Sequence, residues 1–151
     1  MIHKIKICLI SSHGGHLREL LDVTKNVVGD KYYVTHKTLH TTDRLRIYPH
    51  YFVLDPHNSL LKYIINTFQS IYHILKEKPK VVISTGSGIA VPSILISKYA
   101  LNSKIIFIES AANVITPSKT ALFVYKYSDL FLIQWPSLKK TFPKAICIGL
   151  V

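Results

Sequence analysis

Short apolar runs recur along the chain and alternate with segments whose apolar residues fall at helical spacing. The runs predict strands at Lys4 to Ile10, Tyr32 to Thr35, Tyr51 to Leu54, Val81 to Ile83, Lys104 to Ile108, Leu130 to Ile133 and Ala145 to Ile148. Between the first two, Leu17, Leu20, Leu21, Thr24, Val27 and Val28 share one helix face, opposite Arg18, Glu19, Asp22 and Lys25, and Gly29-Asp30 stops the helix. A longer helix starts at Asn58 or Ser59 as its cap and ends before Pro79. Another runs from about Ala90 to Ala100 with Pro92 in its first turn, and a short one ends near Tyr127. A helical turn follows Pro136. From His36 to Pro49 the periodicity breaks down into a polar, basic loop holding Thr41, Thr42, Asp43, Arg44 and Arg46.

Strands alternating with helices call for an α/β fold, a parallel sheet with helices on both faces. No repeat, linker or composition break divides residues 1–151, so one Rossmann-like domain is expected. Right-handed crossovers then place the loops 11–16, 84–88, 109–118 and 134–136 on one edge of the sheet, facing a common crevice.

The long helix has a wide apolar face: Leu60, Leu61, Ile64, Ile65, Phe68, Ile71, Tyr72 and Leu75, widened by Tyr63 and Ile74 and flanked by Lys62, Lys76 and Lys78. Packing on the sheet is the expected use. Where the face exceeds what the sheet covers, it suits a membrane interface.

Charge narrows the partners. Nineteen Lys and Arg stand against eight acids, a net +11, which implies an anionic partner. The basic residues are scattered and no nucleic-acid-binding signature occurs, so a membrane surface or a lipid-linked phosphate is favoured and nucleic acid is not. Cys8 and Cys147 lie in strand patterns without CxxC or metal spacing, and are expected to be buried free thiols. Met1 to Lys6 run into strand pattern with no signal peptide, and no stretch reaches the ~18 apolar residues of a membrane span.

The candidate chemistry sits in the strand-end loops. Ser12, His13, Gly14, Gly15 and His16 form a small-residue turn before a helix, the usual seat of a phosphate, although a plain βα turn also fits. His13 and His16 suit a general base or a phosphate contact, or merely cap the helix. Thr85, Gly86, Ser87 and Gly88 offer hydroxyls and N–H groups, or only form a turn. Glu109 ends a strand on the ligand edge, where it activates a hydroxyl or caps the next turn. Gln134 and Trp135 are candidate sugar or partner contacts, or a packing anchor. The dinucleotide fingerprint fails, because the first loop lacks GxGxxG and Thr35-His36 stand where an acid would follow the second strand. No cofactor and no metal is expected.

Ser11 to Leu17, Ser84 to Pro92, Phe107 to Ser110, Ser118, Gln134-Trp135-Pro136, Pro143 and Ile148-Gly149 together closely resemble one family. It comprises the membrane-anchoring subunit of the two-part N-acetylglucosaminyltransferase acting on dolichol-pyrophosphate, and bacterial relatives in capsule and exopolysaccharide synthesis. The chain also looks like the acceptor-binding half of the glycosyltransferase that completes the peptidoglycan lipid precursor. The resemblance implies the N-terminal half of a GT-B enzyme split over two chains, with a catalytic nucleotide-sugar-binding subunit as partner and a UDP-sugar supplied through it. Gly14, Gly15 and His16 would face the pyrophosphate of a polyprenyl-linked sugar acceptor, with Gly86 and Gly88 in the same groove and His16 or Glu109 as base. The eukaryotic subunit carries an N-terminal membrane span, whereas this chain opens on its first strand. The bacterial form is therefore expected, peripheral on the cytoplasmic face of the cell membrane and held to its anionic surface by the 60–75 helix and basic charge. The alternative is a non-catalytic scaffold or enhancer that recruits a partner glycosyltransferase.

Overall fold

The computed structural model describes residues 5–56 and 59–151. Lys4 and Asn58, named above as a strand start and a possible cap, lie outside them. The described residues form one seven-stranded sheet, ordered β3-β2-β1-β4-β5-β6-β7. The strands are β1 Lys6–Ile10, β2 Asp30–Thr35, β3 His50–Phe52, β4 Val81–Ser84, β5 Lys104–Ile108, β6 Leu130–Ile133 and β7 Ile146–Cys147. Every neighbouring pair is parallel. The helices are α1 Gly15–Thr24, α2 Leu39–Arg44, α3 Leu60–Glu77, α4 Ala90–Leu101 and α5 Lys119–Val124, with 3-10 turns at Tyr125–Tyr127 and Pro136–Lys140.

Strand side chains alternate between the two faces of the sheet. Cys8, Ile10, Val82, Ile105 and Phe107 meet Ile74, Ile94 and Ala121 from α3, α4 and α5. Ile7, Leu9, Ile83 and Ile108 meet Leu17 and Leu20 of α1 and Leu45 beyond α2. Both faces are thus covered, as an all-parallel sheet requires.

Three sequence expectations are corrected. The segment after β2 is not simply a loop, for α2 lies within it. Thr38 and Thr41 exchange backbone-to-side-chain hydrogen bonds at 2.8 and 3.0 Å, a capping box that starts a helix too short to show periodicity. Cys147 is exposed, because β7 is a two-residue edge strand paired only with β6. Cys8, in a central strand, is buried, and burial pushes its thiol up to about 12.

The third correction concerns α3. It packs through a narrow seam of Asn66, Ser70 and Ile74, so that of its expected apolar face only Ile74 is fully buried. α3 packs against α4, and Ser70 of the first and Ser93 and Ser97 of the second are all buried; small side chains let two helices approach closely. Asn66 donates to the Leu54 carbonyl at 2.9 Å and Gln69 accepts from the Leu54 N–H at 2.7 Å, fixing the chain beyond β3. Ser59 caps the helix by accepting from the Lys62 N–H. The apolar residues therefore point outward: Leu60, Leu61, Phe68 and Tyr72 are between 62% and 77% exposed.

Asp129 pins the start of β6 to β5. Its carboxylate accepts from the Ile105 N–H at 2.9 Å, Lys98 at 2.8 Å and Lys104 at 3.3 Å. Burial alone would raise its pKa, but these bonds outweigh it and bring the carboxyl from its ordinary 3.8 down to about 2. A depressed carboxylate stabilises the fold fully above its unfolded value and loses that contribution as pH falls through the folded one. Unfolding titrations between pH 5 and pH 2 are expected to show wild-type stability falling more steeply than that of Asp129→Asn over this interval.

Candidate functional site

Because all strands run in parallel, the segments after β1, β2, β3, β4, β5 and β6 share the edge at the strand C-termini. β1 ends at Ile10, and Ser11 to Gly14 turn the chain into α1. Gly14 takes φ +71°, ψ −131°, a conformation that an L side chain rarely adopts, and no side chain caps the helix. The first N–H groups of α1 therefore remain available at the positive end of its dipole.

The turn after β1 is bound to the turn after β4 by a reciprocal pair. His16 Nδ1 lies 2.9 Å from the Thr85 carbonyl, and the Thr85 hydroxyl donates to the His16 carbonyl at 2.7 Å. A carbonyl only accepts, so Nδ1 carries the proton and, in the neutral ring, Nε2 keeps its lone pair. Gly86 lies against this imidazole at φ +113°; a Cβ there would stand 3.4 Å from His16 Cε1. Ser87 follows at φ +81°, and Ser84 Oγ accepts from the Gly86 N–H at 3.1 Å. The structure thus brings together His16, Thr85, Gly86, Ser87 and Gly88, with His13, Gly14 and Gly15 on the other side of the α1 start.

A cavity of about 360 Å³ opens there between α1 and α2. His13, Arg18, His40 and Arg44 surround it, and Gly14 and Gly15 supply backbone. Four side chains able to carry positive charge thus stand beside an α1 N-terminus that no side chain caps, the kind of place where an anion is favoured. Sequence reading picked out His13 and the glycines but missed Arg18, His40 and Arg44. The available signal was a basic residue in the first helical turn, where acids are favoured, and a basic segment at a strand end.

His13 also packs edge-on against His36, with centroids 4.4 Å apart. Burial lowers the pKa of His36, as does His13, while Asp55 acts against them. His36 Nε2 is 3.9 Å from Asp55 Oδ2. Ser12 is half-buried in the turn between β1 and α1.

Glu109 is placed at the predicted edge but is committed to its own loop. It is 1% exposed, and accepts from the Ser118 N–H at 3.1 Å, the Ser118 hydroxyl at 3.0 Å and the Asn113 amide. Burial raises its pKa against these bonds. Of the two roles the sequence left open, the geometry favours bracing the 110–118 loop. Gln134 is buried as well; it donates to the Glu109 carbonyl at 3.0 Å and accepts from the Val151 N–H at 3.1 Å. Trp135 donates from its indole N–H to the Ala111 carbonyl at 2.7 Å. These two residues fasten the loop after β5 rather than presenting their polar atoms outward.

The profile of a family described as "Oligosaccharide biosynthesis protein Alg14 like" matches residues 55–151. The chain is 26% identical to the mouse protein named UDP-N-acetylglucosamine transferase subunit ALG14, over 96% of this chain and 82% of that protein. In fold it is similar to Acinetobacter baumannii MurG, with TM-score 0.75 and 16% identity over 96% of this chain. A UDP-N-acetylglucosamine 2-epimerase from Rickettsia bellii gives TM-score 0.72 and 13% identity over 93%. The chain spans 45% and 42% of the lengths of these two structures. The fold is accordingly the Rossmann-like N-terminal half of the GT-B arrangement.

Gly86→Ala combines a strained φ with crowding of the His16 ring. It is expected to cost about 1–2 kcal/mol of stability. Nitrogen NMR of the imidazoles should show the neutral His16 ring as the Nδ1–H tautomer in wild type, and lose that pattern in Gly86→Ala.

Proposed function

The chain belongs to the Alg14-like family of oligosaccharide biosynthesis proteins, and from that premise we propose that it is the acceptor-side subunit of a two-chain UDP-N-acetylglucosamine-dependent transferase. It binds a polyprenyl-pyrophosphate-linked sugar and recruits a catalytic, nucleotide-sugar-binding partner. The setting is lipid-linked oligosaccharide synthesis, in the bacterial form capsule or exopolysaccharide synthesis. The observation that carries this reading is the cationic cavity at the α1 N-terminus, in a fold that makes up half of a GT-B enzyme. A diphosphate matches that cavity in charge, with the α1 N–H groups and Arg18, His40 and Arg44 around it.

His16 is the candidate base. Its Nε2 lone pair takes the proton of the acceptor hydroxyl as that oxygen attacks the anomeric carbon of the donor and UDP departs. Thr85 holds the required tautomer. Glu109 acts indirectly, by fixing the loop between β5 and α5. The scaffold reading draws support from the same fact, since the Glu109 carboxylate is occupied and one of the two candidate bases, His16 and Glu109, is thereby tied to the loop.

The exposed face of α3, with Lys62 and Lys76, suits a shallow position in an anionic membrane surface, where each Lys adds about 1 kcal/mol. On this reading the protein sits peripherally on the cytoplasmic face of the cell membrane. High salt weakens the electrostatic part of that attachment.

Transfer from labelled UDP-N-acetylglucosamine tests the reading. Activity is expected only when this chain is combined with its co-purifying partner. Leu61→Ser with Phe68→Ser should lose about tenfold or more with acceptor in anionic vesicles and little with a short-chain, water-soluble acceptor. Transfer by this chain alone would contradict the reading, as would full transfer by a His16→Ala complex contradict the catalytic role.

A further inference from the structure

The helices α3, α4 and α5 all pack on one face of the sheet, through Ile74, through Ile94, and through Ala121 and Val124. α4 touches both of the others, so the outward sides of the three belong to one layer. On α5 the buried Ala121 and Val124 leave Leu122 and Phe123 on the outside, 52% and 44% exposed. Tyr99, near the end of α4, is 73% exposed and meets the ring of Tyr127 with centroids 6.1 Å apart. Phe123 meets the same ring at 5.4 Å, and the Lys126 ammonium stands 4.9 Å from its centre. Apolar side chains scattered singly over a surface need no explanation. Rings from two helices in contact with one another, with a cation over them, form a patch.

Charge decides what covers this patch. The segments 60–77, 90–101 and 119–127 hold five lysines and a single acid, Glu77, which accepts from Lys6 and Tyr51. Asp129, just beyond, is held by Lys98, Lys104 and the Ile105 N–H. These helices therefore present lysines and no uncommitted carboxylate. Protein interfaces are depleted in lysine, whereas rings and lysines together are typical of the headgroup layer of a bilayer. We propose that Tyr99, Phe123 and Tyr127, with Leu122 and Lys126, are a second membrane anchor in addition to the apolar face of α3. The rings lie in the headgroup layer of an anionic bilayer, and Lys126 meets the lipid phosphates. This rests on the membrane attachment proposed above and deepens it. One helix alone leaves the protein free to roll about the helix axis; a second anchor on the same layer removes that rotation and holds the strand-end edge at a constant height above the lipid.

The complex of this chain with its co-purifying partner is floated with vesicles of phosphatidylcholine, alone or in equal parts with phosphatidylglycerol. Leu122→Ser with Phe123→Ser is expected to weaken binding to the mixed vesicles about tenfold, and Lys126→Gln about fivefold on the mixed vesicles only. Phe123→Trp should bind like wild type, and its added emission, above that of Trp135, should be quenched by bromine-labelled lipid. Thermal midpoint, partner co-purification and transfer to a water-soluble acceptor should stay at wild-type values in all of these variants. Wild-type binding by Leu122→Ser with Phe123→Ser, when Leu61→Ser with Phe68→Ser is lost from vesicles, overturns the second anchor and leaves the α3 attachment standing. Unquenched emission from Phe123→Trp, or a loss of binding that tracks the thermal midpoint, makes the cluster a packing contact and overturns the anchor too. So does a loss that tracks partner release, or a change of oligomeric state without vesicles, which would make the patch a protein interface. Failure of the wild-type complex to bind either vesicle overturns the membrane reading itself, and the second anchor with it.

Discussion

The reciprocal pair between His16 and Thr85 is the constraint on which the ligand edge depends. Two turns separated by 69 positions are held in register by one side chain from each, both bonding to backbone. The pair fixes the His16 tautomer, ties the start of α1 to the turn after β4, and holds the ring 3.4 Å from where a Cβ at position 86 would stand. The remaining turns are fastened behind it. Glu19 and Gln134 hold the loop after β5, and Glu109 folds that loop back through Ser118. Most of the acidic and amide groups at this edge therefore shape the loops, while the cationic groups of α1 and α2 face the cavity.

The same division of labour appears on the opposite face of the sheet. α4 is largely apolar, with Lys98 reaching out to Asp129, and it packs against α3 where both helices bury serines, Ser93 and Ser97 on α4 and Ser70 on α3. Close packing by small side chains needs little apolar area, so the bulky residues of α3 are released to the surface. On the proposed reading, those residues seat the protein on a membrane while the strand-end loops address the diphosphate and sugar of a lipid embedded there.

Much of this was legible in the sequence. Buried parallel strands are continuous apolar runs, and every strand stands where such a run predicted it, shifted by a residue or two at its ends. Parallel topology then follows from alternation with helices, and the convergence of the loops from topology. The facing of α3 was not legible, because amphipathicity reveals that a helix has an apolar side but not whether Asn66 and Ser70 will be chosen for the core instead. α2 was missed because six residues carry no period and its capping box uses threonine where a glutamate or glutamine is the usual sign. In the candidate site, glycines and histidines were visible as types. Whether a carboxylate such as Glu109 or Glu19 keeps an oxygen free depends on hydrogen bonds from residues far away in the chain, and spacing alone does not encode those. Arg44 and His40 became site residues only once α2 folded against α1.

The central claim is a division of substrates: this chain holds the lipid-linked acceptor, and its partner holds the nucleotide sugar. Titration calorimetry on the isolated chain tests it most directly, with a short-chain polyprenyl-diphosphate monosaccharide in one cell and UDP-N-acetylglucosamine in another. The account predicts saturable binding of the first, weakened about tenfold by Arg44→Ala, and no binding of the second. Binding of UDP-N-acetylglucosamine in preference to the lipid diphosphate would contradict it.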